Sequence, residues 1–282
     1  MRMLGSMPVR VLDDRHRAEA LAILDADPVA NVFVASRVHT AGLDPRRLGA
    51  QMWGYLRDGR LTSLCYSGAN LIPVAAGPEA VRAFAERARA QGRRCSSIVG
   101  PVDAVAELWE ILSPYWGPPR AVRARQPVMA TSTVPDVPAD PAVRRVTMEE
   151  FDIVYPACVA MFTEEVGVSP HTGDGGVVYR DRVAGLIRAG RAFAPIEDGR
   201  VLFKAEIGAV TPLACQVQGV WVPPDLRGEG RSVSGMSAVV REALRSVAPT
   251  VSLYVNDYNT RARAAYRRVG FTEVGTFMSV LF

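Results

Sequence analysis

The chain has 282 residues, 49% of them apolar and 22% charged, with a formal net charge of +4. That length and apolar content suit two domains of ordinary size with packed cores, and no stretch has the composition of a disordered tail. No run approaches the ~18 uninterrupted apolar residues that a membrane span requires. The excess positive charge is dispersed among acidic residues, without the basic run or aromatic pattern of a nucleic-acid-binding protein.

The first six residues, Met1 to Ser6, lack the apolar core of a secretory signal, so secretion is not expected. A strand over 9–12 is followed by helical runs over 15–25 and 30–38. Strands over 51–57 and 60–66 flank Asp58-Gly59, a dipeptide suited to the tight turn of a hairpin. A strand over 70–75, a helix over 79–90, a strand over 96–99 and a helix over 102–112 complete this half. Cys65, Cys95, Cys158 and Cys215 are scattered, and His16, His39 and His171 are isolated. Neither set has metal-ligand spacing, so no metal is expected and the cysteines read as reduced thiols of a cytoplasmic protein.

Prolines at 135, 138 and 141 punctuate residues 134–141, a run that fits the interior of neither helix nor sheet. This places a linker at 134–141 between an N-terminal domain, 1–133, and a C-terminal domain, 142–282. Beyond it the pattern predicts a strand at 144–146 and helices over 147–162 and 179–189. Strands over 191–197, 200–207 and 215–222 follow, the first two joined at Asp198-Gly199, again a hairpin dipeptide. The two halves thus run through the same order of elements, which suggests a degenerate internal repeat.

Next comes Arg227-Gly228-Glu229-Gly230-Arg231-Ser232, between a strand and a helix-patterned run. Glycines at 228 and 230 allow positive φ and close backbone approach to a ligand. The first amides of the helix have no intrahelical acceptor and its dipole favours negative charge, so the turn suits a diphosphate. Arg227 and Arg231 add cationic donors. The corresponding turn of the N-terminal half is only Ala76-Gly77-Pro78, so that copy should not hold a diphosphate. A strand over 250–255, a helix over 257–268 ended by Gly270, and a last strand from 271 to 281 close the chain.

In this order and at this spacing, residues 142–282 resemble the GNAT family of N-acetyltransferases. Arg227, Gly230 and Ser232 match that family's R/Q-x-x-G-x-G/A loop, with Ser232 where Gly or Ala is usual. Val255, Asn259, Ala262, Tyr266, Gly270 and Phe271 match its C-terminal signature. The N-terminal half and residues 162–170 are also similar to a subgroup in which a GNAT domain follows a domain of unknown function. The resemblance implies an α/β fold with a mixed sheet, in a tandem GNAT-like acyl-CoA N-acyltransferase architecture. It implies acetyl-CoA as donor and an amine, on a small molecule or a peptide, as acceptor.

The same resemblance assigns roles. Val220, Trp221 and Val222 would offer backbone groups to the pantetheine arm, and residues 227–232 would hold the diphosphate. An amide near Val222 would stabilise the oxyanion. Asn259 would hydrogen-bond pantetheine or position its helix, and Tyr266 would protonate the leaving thiolate. Phenol and thiol pKa values near 10 and 8.5 make that transfer feasible. A base is less evident, because the strand before the loop carries Gln216 and Gln218 where many relatives have Glu. Glu206, Glu164, Glu165 and His171 are the candidates. The N-terminal half would shape the acceptor site or mediate a homodimer. Two other readings stay open: a non-catalytic CoA-binding or sensing module, and a tandem-GNAT transferase of the aminoacyl or thiol-biosynthesis kind.

Overall fold

A computed structural model describes residues 8–172 and 175–282, so the expectation for Met1 to Ser6 lies outside the described residues. Two compact units form. One comprises Met1–Met129, Tyr254–Tyr258 and Glu273–Phe282; the other comprises Ala130–Leu253 and Asn259–Thr272. The first division falls at Met129/Ala130. Residues 273–282, read from sequence as the end of the C-terminal domain, belong to the first unit.

The first unit begins with β1 (Val9–Val11), α1 (Arg17–Asp25), α2 (Val32–Ala41) and a short α3 (Pro45–Leu48). The hairpin β2 (Gln51–Arg57) and β3 (Arg60–Ser67) turns at Asp58 and Gly59, with φ of 51° and 78°, as the dipeptide predicts. Then come β4 (Asn70–Val74), α4 (Pro78–Gln91), β5 (Ser97–Pro101), α5 (Val102–Trp116) and β6 (Ala121–Thr131). With the final strand β14 (Thr272–Leu281), the order across this unit's sheet is β1-β2-β3-β4-β5-β14-β6. The chain's last strand is therefore antiparallel to β5, from Phe277↔Pro101 to Leu281↔Ser97.

Period-two alternation feeds two cores, one on each face of this sheet. Trp53, Cys65, Leu71 and Ile98 pack with Val81, Phe84 and Ala85 of α4 and Leu108 and Leu112 of α5. Their neighbours Met52, Leu64, Tyr66 and Ile72 pack instead with Leu24, Val34 and Val38 of α1 and α2. Phe84 is fully buried, so truncating it to Ala would cost ~3–5 kcal/mol.

The second unit holds β7 (Arg144–Arg145), α6 (Phe151–Val166), α7 (Val177–Arg188), β8 (Ala192–Ala194), β9 (Ile196–Glu197), β10 (Arg200–Val201) and β11 (Lys204–Val210). It continues with β12 (Cys215–Trp221), α8 (Arg231–Ser246), β13 (Val251–Tyr254) and α9 (Thr260–Val269). Its sheet order is β13-β12-β11-β8-β7, with β9 and β10 forming a separate two-stranded ribbon. The single strands expected over 191–197 and 200–207 are each divided. Pro195, which has no N–H to give a ladder, separates β8 from β9, and its carbonyl accepts from Leu202 N at 3.3 Å. Two elements had no sequence expectation at all: α3, only four residues long, and β6, whose exposed arginines and Pro127 mask its strand pattern.

Residues 134–141 are not a free linker. Arg241 donates to Pro135 O, Ser237 Oγ to Val137 O at 2.8 Å, and Asp140 N to Ser234 O at 3.1 Å, so the segment is fastened along α8.

Candidate functional site

β12 and β13 run parallel but pair only at Cys215↔Val251 and Gln216↔Ser252. Beyond that point, among the described residues, β12 pairs with β11 alone, so a wedge opens along β12 from Val217 to Trp221. Two bulges shape it. Gly208 is an extra residue on β11, where a Cβ would strike the Gln218 side chain at 2.1 Å. The other lies at Gly219–Val220 on β12, between the pairs Glu206↔Gln218 and Lys204↔Trp221. Gly219 has φ +60°, a conformation that favours glycine.

The Gly219 bulge is held from beneath. Its carbonyl accepts a hydrogen bond of 2.9 Å from Lys204 Nζ, which also lies 2.7 Å from Oε1 of Glu206. Cys158 Sγ donates weakly to the same oxygen at 3.6 Å. Burial penalises charge on both partners, but their mutual attraction prevails, raising the Lys204 pKa and lowering that of Glu206. Burial also pushes the Cys158 thiol up to about 12, so it stays protonated. Glu206, advanced from sequence as a base, is thus committed to Lys204, and a carboxylate with a lowered pKa is a poor proton acceptor.

The cradle follows directly. A 3-10 turn over Pro224–Leu226 leads into Arg227 and the glycines, with φ of 93° at Gly228 and 80° at Gly230, the N-cap of α8. An added Cβ at either glycine would meet nothing within 4 Å, so the space before the helix is open. Among the described residues, no amide from Gly228 to Ser232 donates to another backbone group outside the helix ladder or to a side chain. Arg231 pairs with Glu229 at 3.0 Å. Arg227 is already engaged: it grips Glu164 through both terminal nitrogens, at 2.9 and 2.7 Å, and donates Nε to Val222 O at 3.0 Å. Trp221 Nε1 donates to Glu164 as well, at 3.1 Å.

Beside the cradle lies a cavity of about 450 Å³ lined by Val137, Pro138, Asp140, Glu229, Arg231 and Arg268, among others. The contribution from 137–140 was not foreseen, since a proline-rich linker gives no sequence signal of docking on α8.

On α9, Tyr266 is buried with its ring 6.0 Å from that of Phe271. Burial raises its hydroxyl pKa and the nearby Glu165 charge adds to the shift, so the proton is firmly held. Two of the expected catalytic residues, Tyr266 and Glu165, are therefore brought within electrostatic reach, while Glu206 is held in its own ion pair. Asn259 is the N-cap of α9, its Oδ1 accepting from Ala262 N at 3.1 Å. His171 stacks on Tyr155 and shares a 3.0 Å hydrogen bond with its hydroxyl.

In the first unit, β4 and β5 also pair in parallel at only two positions, Asn70↔Ser97 and Leu71↔Ile98. There Ala75-Ala76-Gly77 leads into Pro78 at the first turn of α4, where proline removes an amide donor. The wedge is repeated but the cradle is not.

These arrangements define a mixed α/β, tandem GNAT-like acyl-CoA N-acyltransferase fold. Among solved structures, a Drosophila protein matches with a TM-score of 0.67 at 14% identity, over 98% of each chain. A GNAT-family acetyltransferase from Colwellia psychrerythraea matches with a TM-score of 0.58 at 13% identity, covering 97% of this chain and 99% of its own. A tandem GNAT protein from the clavulanic acid biosynthesis pathway gives 0.55 at 14% identity, over 97% and 98%. At such identities the likeness is one of fold. A family model described as a domain of unknown function, DUF4081, matches residues 50–154. That match crosses 134–141 and enters α6, so it does not set apart an N-terminal domain of unknown function ahead of a separate GNAT domain. No curated protein matches the sequence. No helix of the described residues is long and apolar enough to cross a membrane.

Proposed function

We propose that the chain is an acetyl-CoA-dependent N-acetyltransferase whose second unit transfers the acetyl group to a primary amine. The observation that carries this reading is the wedge left where β12–β13 pairing stops at Gln216↔Ser252. It leads into an open, glycine-cornered helix N-terminus. The residues fit the donor: the space above Gly228 and Gly230 is clear, and the amides of 228–232 point to no acceptor of their own. Bound there, acetyl-CoA supplies an activated thioester.

The remaining work falls to this chain. Residues 228–232 would bind the diphosphate at the α8 N-terminus, with Arg227 and Arg231 adding charge-assisted hydrogen bonds. The exposed edge of β12 at Val220, Trp221 and Val222 would hold the pantetheine arm as an added strand is held. With the Gly219 carbonyl turned to Lys204, the trans peptide turns the Val220 amide the opposite way. Such a fixed donor is what a developing oxyanion needs. Tyr266 holds its proton at neutral pH, and burial makes it a weaker acid than a free phenol. It would give that proton to the sulfur only late, once the C–S bond is largely broken and charge has built on the thiolate. Glu165, or Glu164 once released, would take the ammonium proton directly or through water. Four buried free cysteines fit a reducing, cytoplasmic setting.

A second reading, a CoA-binding module without catalysis, is favoured by one observation: Glu206 is sequestered and β12 carries Gln216 and Gln218 instead of a carboxylate. Thiol release from acetyl-CoA separates the two. A transferase releases CoA faster with at least one member of a panel of small amines and peptides than without. A binding module shows saturable acetyl-CoA binding and no amine-dependent release. Charging with aminoacyl-tRNA in place of acetyl-CoA tests the aminoacyl-transfer alternative that the tandem fold leaves open.

A further inference from the structure

Hydrogen bonds from two parts of the donor site converge on one carboxylate. Glu164, in the last turn of α6, accepts from Nη1 and Nη2 of Arg227 and from Nε1 of Trp221. Arg227 begins the cradle, and Trp221 ends the strand that borders the wedge. With Arg227 Nε also bonded to Val222 O, all three guanidinium nitrogens already have partners. The pair is a surface one, its side chains 38% and 52% exposed. It is therefore open to competition from an incoming anion. The same fork that grips a carboxylate grips phosphate oxygens, and a diphosphate in the cradle offers more charge than Glu164 does.

We propose that Glu164 is a positioning residue that holds Arg227 and Trp221 while the cradle lacks an anion, and surrenders Arg227 to the diphosphate of the donor. The proposal rests on the transferase reading above. The exchange explains why a carboxylate stands so near a site built for phosphate: it keeps the guanidinium ordered and neutralised until the ligand arrives. It also sets donor specificity. A molecule with the pantetheine arm but no diphosphate does not engage Arg227 and gains nothing from the exchange. Coenzyme A makes the displacement itself, loosening the indole from Glu164 as it binds.

The test is calorimetry on the full chain, as wild type, Glu164→Gln, Arg227→Gln and the double variant, with CoA, inorganic pyrophosphate and pantetheine as probes. Glu164→Gln should tighten CoA and pyrophosphate binding by up to about fivefold, the range set by losing one competing surface ion pair. It should leave pantetheine binding unchanged, and the gain should vanish in the Arg227→Gln background. Pyrophosphate should also change the tryptophan emission of the wild type, and that change should be absent from Trp221→Phe. A Glu164→Gln variant that binds CoA no more tightly, or whose gain survives Arg227→Gln or extends to pantetheine, would overturn the exchange while leaving the transferase reading intact. Failure of every variant, wild type included, to bind CoA would overturn that reading and the exchange with it.

Discussion

Lys204, the only lysine of the chain, is buried with its ammonium 2.7 Å from Glu206 and 2.9 Å from the carbonyl of Gly219. Everywhere else this protein uses arginine for positive charge. The packing around the ammonium is close: a Cβ on Gly219 would come within 3.1 Å of Nζ and 3.2 Å of the Glu206 carboxylate. A compact ammonium on a flexible stem satisfies carboxylate and bulge carbonyl together. Lys204→Met should therefore cost about 3–5 kcal/mol, because it leaves a buried carboxylate unpaired. Lys204→Met combined with Glu206→Leu should recover most of that loss in urea unfolding. Equal stability of the single variant and the wild type would show that the pair holds nothing in place.

The same pair sets a pH dependence. The pKa of Glu206 is lowered in the fold from an ordinary 4.5, so the stability it contributes is complete above that value and is lost as pH falls below it. The pKa of Lys204 is raised from 10.5, so its contribution is complete below that value and is lost as pH rises beyond it. The stability difference between wild type and the double variant should accordingly be flat between about pH 5 and 10 and change outside that window. A difference that varied through neutrality would contradict the assignment of charge to both groups.

Asn259 caps α9 through the Ala262 amide. Asn259→Ala should lower stability by about 1 kcal/mol, and Asn259→Ser should restore most of it. If acetyl-CoA affinity falls with Ala and returns with Ser, the residue acts by placing the helix. If affinity falls equally with both, the amide touches the ligand.

Tyr266→Phe keeps the ring packed near Phe271 and removes only the hydroxyl. Acetyl-CoA affinity should be nearly unchanged and turnover should fall by roughly 10²–10⁴, the usual worth of a placed proton donor. Equal turnover by the Phe variant between pH 6 and 9 would remove Tyr266 from the mechanism.

Much of the fold was legible because local chemistry set it. The Asp-Gly hairpins, the glycine N-cap of α8 and the glycine after α9 each need a backbone conformation that few residues adopt. β6 was not legible, because its outer half is solvated and Arg-rich and only its partners make it a strand. The place of β14 was hidden for the same reason, since no residue of 272–281 says which sheet it will join. In the candidate site, the glycines could be read from their place ahead of a helix, whereas Tyr266 was named only through the family resemblance. The Lys204–Glu206 pair stands at i, i+2 on one strand, but its burial against the Gly219 bulge depends on β12 and could not be read locally. The Glu164–Arg227–Trp221 junction could not either, because it joins residues far apart in the chain. A lone lysine amid arginines was the one available signal for the first, and the junction left none.

Calorimetric titration with acetyl-CoA tests the central claim most directly. The wild type should bind about one equivalent per chain, because residues 228–232 form the cradle and Ala75-Ala76-Gly77-Pro78 does not. Gly230→Asp, which places a side chain and a negative charge where the diphosphate should lie, should abolish binding while the folded circular dichroism spectrum persists. Two equivalents per chain, or binding that survives Gly230→Asp, would contradict the account.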